Sequence, residues 1–268
     1  MPMTELNEPS SYRDWLALFT ERGAELCLHR EITRSSDRLR IFLRHDIDLL
    51  DAELITRCAD FEAEAGVHST WFFLSAGDKR YKGQGKTAER LIGRLLRDGH
   101  EIGYHVNAWE KPGTFEIADD PIGQLDEDLK WFADVCGRPV TTAAAHGIPH
   151  HKDQVSNLSM FEPLLERNVT LVDPFIIRGG AAGRRIPHFH HRSVNPLLAD
   201  APLIAYVGDS GGPVRKCWSD LSSMMCDGAI VVFNTHCGNY DIHRRLEYRQ
   251  SAAKAGAIPD ECDRVILV

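Results

Sequence analysis

"IFLRHDIDLLDAE", residues 41–53, begins like a buried strand and ends in charge. Ile41, Phe42 and Leu43 are apolar, and within the next five residues come His45, Asp46 and Asp48, with Asp51 and Glu53 beyond them. Burying an unpaired carboxylate is costly, so an apolar run that breaks abruptly into ionisable residues marks a strand leaving a core for a polar mouth.

Short apolar, β-branched or aromatic runs recur along the chain at 40–44, 69–74, 101–104, 140–145, 169–172, 203–207 and 229–233, which gives seven candidate strands. Helical patterns fall between most of them, at 51–65, 86–98, 119–135 and 153–167, and Gly66, Gly99, Gly137 and Asn168 stand where helix ends are expected. Strand alternating with helix predicts parallel βα units, and seven strands favour an α/β fold of one domain, an incomplete or distorted (β/α)7 barrel, over residues 39–268. Residues 1–38 form an N-terminal extension with a helix from about Ser11 to Gly23 and an extended segment. The Gly-, Pro- and Arg-rich stretch 175–200 interrupts the alternation and reads as a long loop at the site.

With 268 residues and 43% hydrophobic content, the chain can bury one large core. A net charge of -8 argues against a phosphate backbone or an anionic membrane surface as the main partner, because neither attracts an acidic protein. No apolar run approaches the roughly 18–20 residues that span a bilayer, so no membrane insertion is expected. The first residues, "MPMTELNEPSSYRDWLALF", are acidic where a secretory signal is basic, which predicts a cytoplasmic protein. Seven cysteines without CxxC spacing predict reduced thiols.

In α/β barrels the carboxyl ends of the strands open onto a shared mouth. Here the first strand ends in His45, Asp46 and Asp48, the third in His105, the fourth in His146, the fifth in Asp173, the sixth in Asp209, and the seventh in Asn234, Thr235 and His236. Imidazoles and carboxylates converging on one rim match the ligand set of a catalytic divalent metal that keeps a position open for water.

Three segments carry a family resemblance: "IFLRHDIDLLDAELITRCADFEAEAGVHSTWFFL" (41–74), "LLRDGHEIGYH" (95–105) and "VVFNTH" (231–236). They resemble the first, second and last motifs of the polysaccharide deacetylases, the NodB-homology or carbohydrate esterase family four proteins, in the subgroup whose first motif reads HD-x-D. The resemblance implies a metal-dependent hydrolase that removes an N-acetyl or other acyl group from a sugar or polysaccharide precursor, with zinc as the expected ion. It implies Asp46 as general base, His236 as general acid, and Asp48 and His105 as metal ligands. The second motif's usual partner His is Trp109 here, so the third ligand is His146 or Glu110, with His146 favoured because a strand end is held more rigidly than a loop. Tyr104, Asn107, Trp109, Arg178 and Asn234 are expected to line a sugar pocket, and Asp173 or Asp209 to orient His236. His150, His151 and His243 are further candidates near the site, and His188, His190 and His191 form a cluster without a partner ligand. Two other readings stay open: a cyclic-amide hydrolase of the allantoinase kind, and an inactive sugar-binding protein.

Overall fold

The computed structural model describes residues 11–32, 34, 36–147, 154–172, 204–208, 225 and 227–235, with 204–208 described as backbone. In chain order the elements are α1 (Tyr12–Glu21), β1 (Glu25–Cys27), β2 (Arg40–Ile47), α2 (Ala52–Glu64), β3 (Thr70–Phe73), α3 (Gly85–Arg97), β4 (Glu101–Val106), α4 (Pro121–Cys136), β5 (Thr142–Ala145), α5 (Phe161–Glu166), β6 (Thr170–Leu171), β7 (Ile204–Gly208) and β8 (Ile230–Thr235). All strand pairs are parallel, in the order β6-β5-β4-β3-β2-β8-β7. This is the α/β single domain predicted, a distorted (β/α) barrel, and each of the seven expected strands is present.

An eighth strand, β1, lies where the sequence suggested only an extended segment. It pairs with the first half of β2 (Glu25↔Arg40 to Cys27↔Phe42), and β3 pairs with the second half (Arg44↔Thr70 to Ile47↔Phe73). The N-terminal segment is therefore built into the sheet.

Local chemistry sets the helix limits. The Asp51 side chain accepts from Leu54 N at 3.1 Å and so caps α2, while Glu53 sits in the first turn against the positive end of the helix dipole. These two acids of the opening stretch are helix-start residues rather than part of the mouth. Gly66, Gly99, Gly137 and Asn168 follow their helices at φ 67°, 89°, 68° and 57°, the left-handed region that ends helices. The helix expected over 153–167 is shorter: a 3-10 turn at Asn157–Met160 runs into α5. Pro163 fits only the first turn of a helix, because it has no N–H and clashes with a preceding turn.

The strands carry apolar residues on both faces, as a parallel sheet covered by helices requires. Phe42, Phe72, Ala144, Val172, Ile230 and Val232 pack together on the inner face. Their odd-numbered neighbours Ile41, Leu43, Val231 and Phe233 pack with Tyr12, Trp15 and Phe19 of α1. Trp71, Phe73, Ile102 and Tyr104 join the larger cluster beneath α2 to α5. Among the described residues no helix is long and apolar enough to cross a membrane, and Cys27, Cys58 and Cys136 are free thiols.

The inner face is tight at Gly103, whose strand partner is Phe72. A Cβ there would lie 2.5 Å from Phe72 Cδ1 and 3.1 Å from the Thr142 carbonyl oxygen. Gly103→Ala is expected to destabilise the fold by about 1–3 kcal/mol, the usual range for overpacking. A urea midpoint unchanged from wild type would contradict this packing.

Candidate metal centre

Asp48 follows β2, His105 lies in β4 and His146 follows β5. The backbone N–H of His146 donates to the Val106 carbonyl at 3.0 Å, which extends the β4–β5 pairing to the rim. His105 pairs in register with Ala144, and period-two alternation brings His146 to the same face. Asp48 Oδ1 lies 3.1 Å from His105 Nε2 and 3.6 Å from His146 Nε2, and the three candidate ligand atoms are within 4.8 Å of one another.

Two ligand atoms on a tetrahedral ion with bonds of 2.0–2.1 Å stand about 3.3 Å apart. The two spacings from Asp48, 3.1 and 3.6 Å, bracket that value, and the chemistry of the donor set, one carboxylate and two imidazoles, suits a divalent ion of the zinc type. The Ala144 carbonyl accepts a hydrogen bond from His105 Nδ1 at 3.1 Å, and this turns the Nε2 lone pair toward Asp48. Both imidazoles are buried, while the Asp48 side chain is 36% exposed, so the group opens to solvent on its carboxylate side.

The two imidazoles are shifted in opposite directions. Burial lowers the affinity of His105 for a proton, but the Asp46 carboxylate, followed by Asp48, outweighs it and raises its pKa above the ordinary value. Burial, aided by neighbouring His105, pushes His146 down to about 4. His146 is consequently a neutral donor at neutral pH.

Asp46 stands beside this group, its Oδ2 3.9 Å from His105 Nε2. Arg44, two residues earlier and on the same strand face, grips it with a fork: Nε donates to Oδ1 at 2.7 Å and Nη2 to Oδ2 at 2.9 Å. Asn234 Nδ2 donates to Oδ2 at 3.0 Å. Arg44 has 2% of its side chain exposed, so this is a buried bidentate ion pair. The i, i+2, i+4 spacing of Arg44, Asp46 and Asp48 carries the signal for it: three ionisable residues in a row on one strand face.

Several expected residues lie elsewhere. His45 and Thr235, predicted at the rim, have their side chains on the helix side, where His45 Nδ1 meets Thr235 Oγ1 at 2.7 Å and its Nε2 meets Glu62 Oε1 at 2.8 Å. Tyr104, expected in the sugar pocket, is fully buried among the helices and donates its hydroxyl to Asp128, because its position in β4 is of opposite parity to His105. Asn107 is also buried and its amide donates to Asp78 Oδ2 at 2.6 Å and Glu110 Oε2 at 2.9 Å, a framework role in place of the expected pocket-lining one. Asn234 likewise spends its amide on Asp46. Half-buried Trp109 donates its Nε1–H to Ser159 Oγ at 3.0 Å. Glu110, the alternative third ligand, stands outside the three-residue group, its Oε2 held by Arg80 Nη1 at 2.7 Å. His150, His151, Asp173, Arg178, His188, His190, His191, Asp209, His236 and His243 lie outside the described residues.

No family model matches the sequence, and no curated protein matches it. Among solved structures, distant likenesses are found. A CE4 esterase from Streptococcus mutans matches at a TM-score of 0.47 and 13% identity, over 83% of this chain and 86% of its own. The catalytic domain of a peptidoglycan N-acetylglucosamine deacetylase from Eubacterium rectale matches at 0.43 and 10% identity, over 84% and 88%. A family 4 carbohydrate esterase from Bacillus anthracis matches at 0.41 and 15% identity, over 96% and 93%. Any chemistry assigned to this chain rests on its own residues.

His105→Ala is expected to abolish stoichiometric uptake of Zn²⁺, measured by elemental analysis after dialysis, and a variant retaining one ion per chain would remove Asp48, His105 and His146 as the ligand group. A second prediction concerns Asp128, whose burial raises its pKa to about 6. An acid raised on folding is penalised once ionised, so its contribution to stability is complete below its unfolded value and falls as pH rises through about 6. Asp128→Asn should flatten the loss of stability between pH 4 and 7 relative to wild type, by an amount on the order of 3 kcal/mol. Parallel urea-midpoint profiles for the two proteins would contradict it.

Proposed function

We propose that this chain is a metal-dependent hydrolase of the polysaccharide-deacetylase kind, with residues 39–268 as its catalytic domain, and that it removes an acyl group, N-acetyl above all, from a sugar or sugar precursor. The observation that carries this reading is the clustering of Asp48, His105 and His146 at three parallel strand ends, with the buried Asp46 carboxylate 3.9 Å from His105. The motif resemblance at 41–74, 95–105 and 231–236 points the same way.

In this reading Asp48, His105 and His146 hold the ion. A bound Zn²⁺ supplies Lewis acidity toward a carbonyl oxygen and lowers the pKa of water toward about 7. Asp46 takes a proton from the attacking water as the oxygen forms its bond to the acyl carbon. Arg44 and Asn234 keep the carboxylate oriented. Scission of the C–N bond then needs a proton on the departing nitrogen, because an amide anion is a very poor leaving group. His236 is the proposed donor, and the products are a carboxylic acid and a free amine. Trp109 and Arg178 remain the proposed contacts to the sugar.

The test is acetate and free-amine release from N-acetylated oligosaccharides and N-acetylated nucleotide sugars by the zinc-loaded protein, run beside cyclic ureides. Asp46→Asn is expected to lower kcat by about 10²–10⁴-fold, the range for losing a general base, while stoichiometric zinc and the circular dichroism spectrum are retained. Full activity in that variant would exclude Asp46 as base. Ring opening of a ureide without deacetylation of any sugar would transfer the reading to the cyclic-amide hydrolases.

A further inference from the structure

Behind His146 lies a polar framework that the proposed reaction does not use. Glu110 bridges Arg80 and Asn107, with its Oε2 2.7 Å from Arg80 Nη1 and 2.9 Å from Asn107 Nδ2. Asn107 Oδ1 in turn accepts from Asn157 Nδ2 at 3.2 Å, and the same Asn157 amide donates to the His146 carbonyl at 3.0 Å. This chain of bonds runs from Glu110 to the backbone of the candidate ligand.

Three atoms in this framework are buried and without a hydrogen-bond partner among the described residues: Glu110 Oε1, Asn157 Oδ1 and His146 Nδ1. The Glu110 side chain is 1% exposed. A buried polar atom left unpaired costs about 1–3 kcal/mol. The chemistry of the trio is complementary, for if His146 offers its Nε2 lone pair to an ion, Nδ1 must carry the proton and donate. The other two atoms only accept. One water can accept from Nδ1–H and donate both its protons, to Glu110 and to Asn157, and buried waters typically make about three such bonds.

Resting on the metal-centre reading above, we propose that Glu110 is the positioning residue of His146, acting with Asn157 through one enclosed water to fix the imidazole with Nδ1 protonated and Nε2 toward Asp48. Glu110 is thus a partner of a ligand in place of being one.

Zn²⁺ affinity, read by chelator competition on the full chain, tests this apart from catalysis. Glu110→Gln should weaken binding about 10–100-fold, the usual effect of removing a ligand's hydrogen-bond partner, and should shift the visible absorption of the Co²⁺-substituted protein. Glu110→Asp, which keeps the acid, should recover most of the affinity. If Glu110→Gln fails to fold, Asn157→Leu removes the other acceptor and should shift the Co²⁺ spectrum in the same way. Wild-type affinity and spectrum in Glu110→Gln, or no recovery in Glu110→Asp, would overturn the assignment of Glu110 to His146. Absence of stoichiometric metal in wild type would instead overturn the metal-centre reading beneath it.

Discussion

Side chains alternate between the faces of a strand, and β2 uses both faces to bury charge. On the inner face, Arg44 neutralises Asp46. On the outer face, His45 meets Glu62, which also accepts from Ser69 Oγ at 2.6 Å and from the Tyr12 hydroxyl. A lone charge in either place would cost several kcal/mol. Each is tolerable because it is paired: Asp46 with the Arg44 guanidinium and Asn234, Glu62 with hydrogen bonds to His45, Ser69 and Tyr12. Buried pairs of this kind add little net stability, yet losing one partner costs about 3–5 kcal/mol, so they act as registration pins. The inner pin ties two positions of β2 to Asn234 of β8, and the outer pin ties β2 to α1, α2 and β8.

This double pinning determines how precisely the strand ends are held. Thr235 Oγ1 donates to the Arg44 carbonyl at 3.2 Å and meets His45 Nδ1, so the end of β8 is fastened to β2 at the two residues that precede Asp46. Complete burial by itself would raise the pKa of Glu62, but His45, with His100 and the Ser69 hydroxyl, outweighs it and draws the pKa below the ordinary value. A catalytic group misplaced by about 1 Å can lose about 10²-fold in rate, so a strand fixed from both faces is a suitable base for a ligand group formed by three separate elements.

Most of the fold was legible because its signals are local. The seven strands are apolar runs, and the helix ends are glycines or an asparagine at positive φ. The convergence of Asp48, His105 and His146 was legible too, since each closes an apolar run and parallel strands share one rim. Face parity was not used, and that is where the expectations failed. Tyr104 is one residue from His105 and therefore on the opposite side, bonded to Asp128 of α4. His45 is likewise one residue from Asp46 and bonded to Glu62 of α2. Applying period two to 44, 46 and 48 would have separated His45 from the site and exposed Arg44 as the partner of Asp46. The Glu110–Arg80 pair was beyond such reasoning, because it joins a loop to a 3-10 turn thirty residues away and has no periodic trace.

The opposite shifts of the two imidazoles follow from the same arrangement. Two adjacent buried imidazoles do not readily both carry a proton, since like charges at this range repel. His105, which faces Asp46 and Asp48, takes the proton more readily, and His146, its pKa pushed down to about 4, has lost its own at neutral pH. In the proposed arrangement the neutral His146 ring is held by a hydrogen bond at Nδ1 rather than by charge. That dependence gives the anion of Glu110 and the amide of Asn157 a physical reason to be buried where they are, next to the one candidate ligand that no carboxylate keeps protonated.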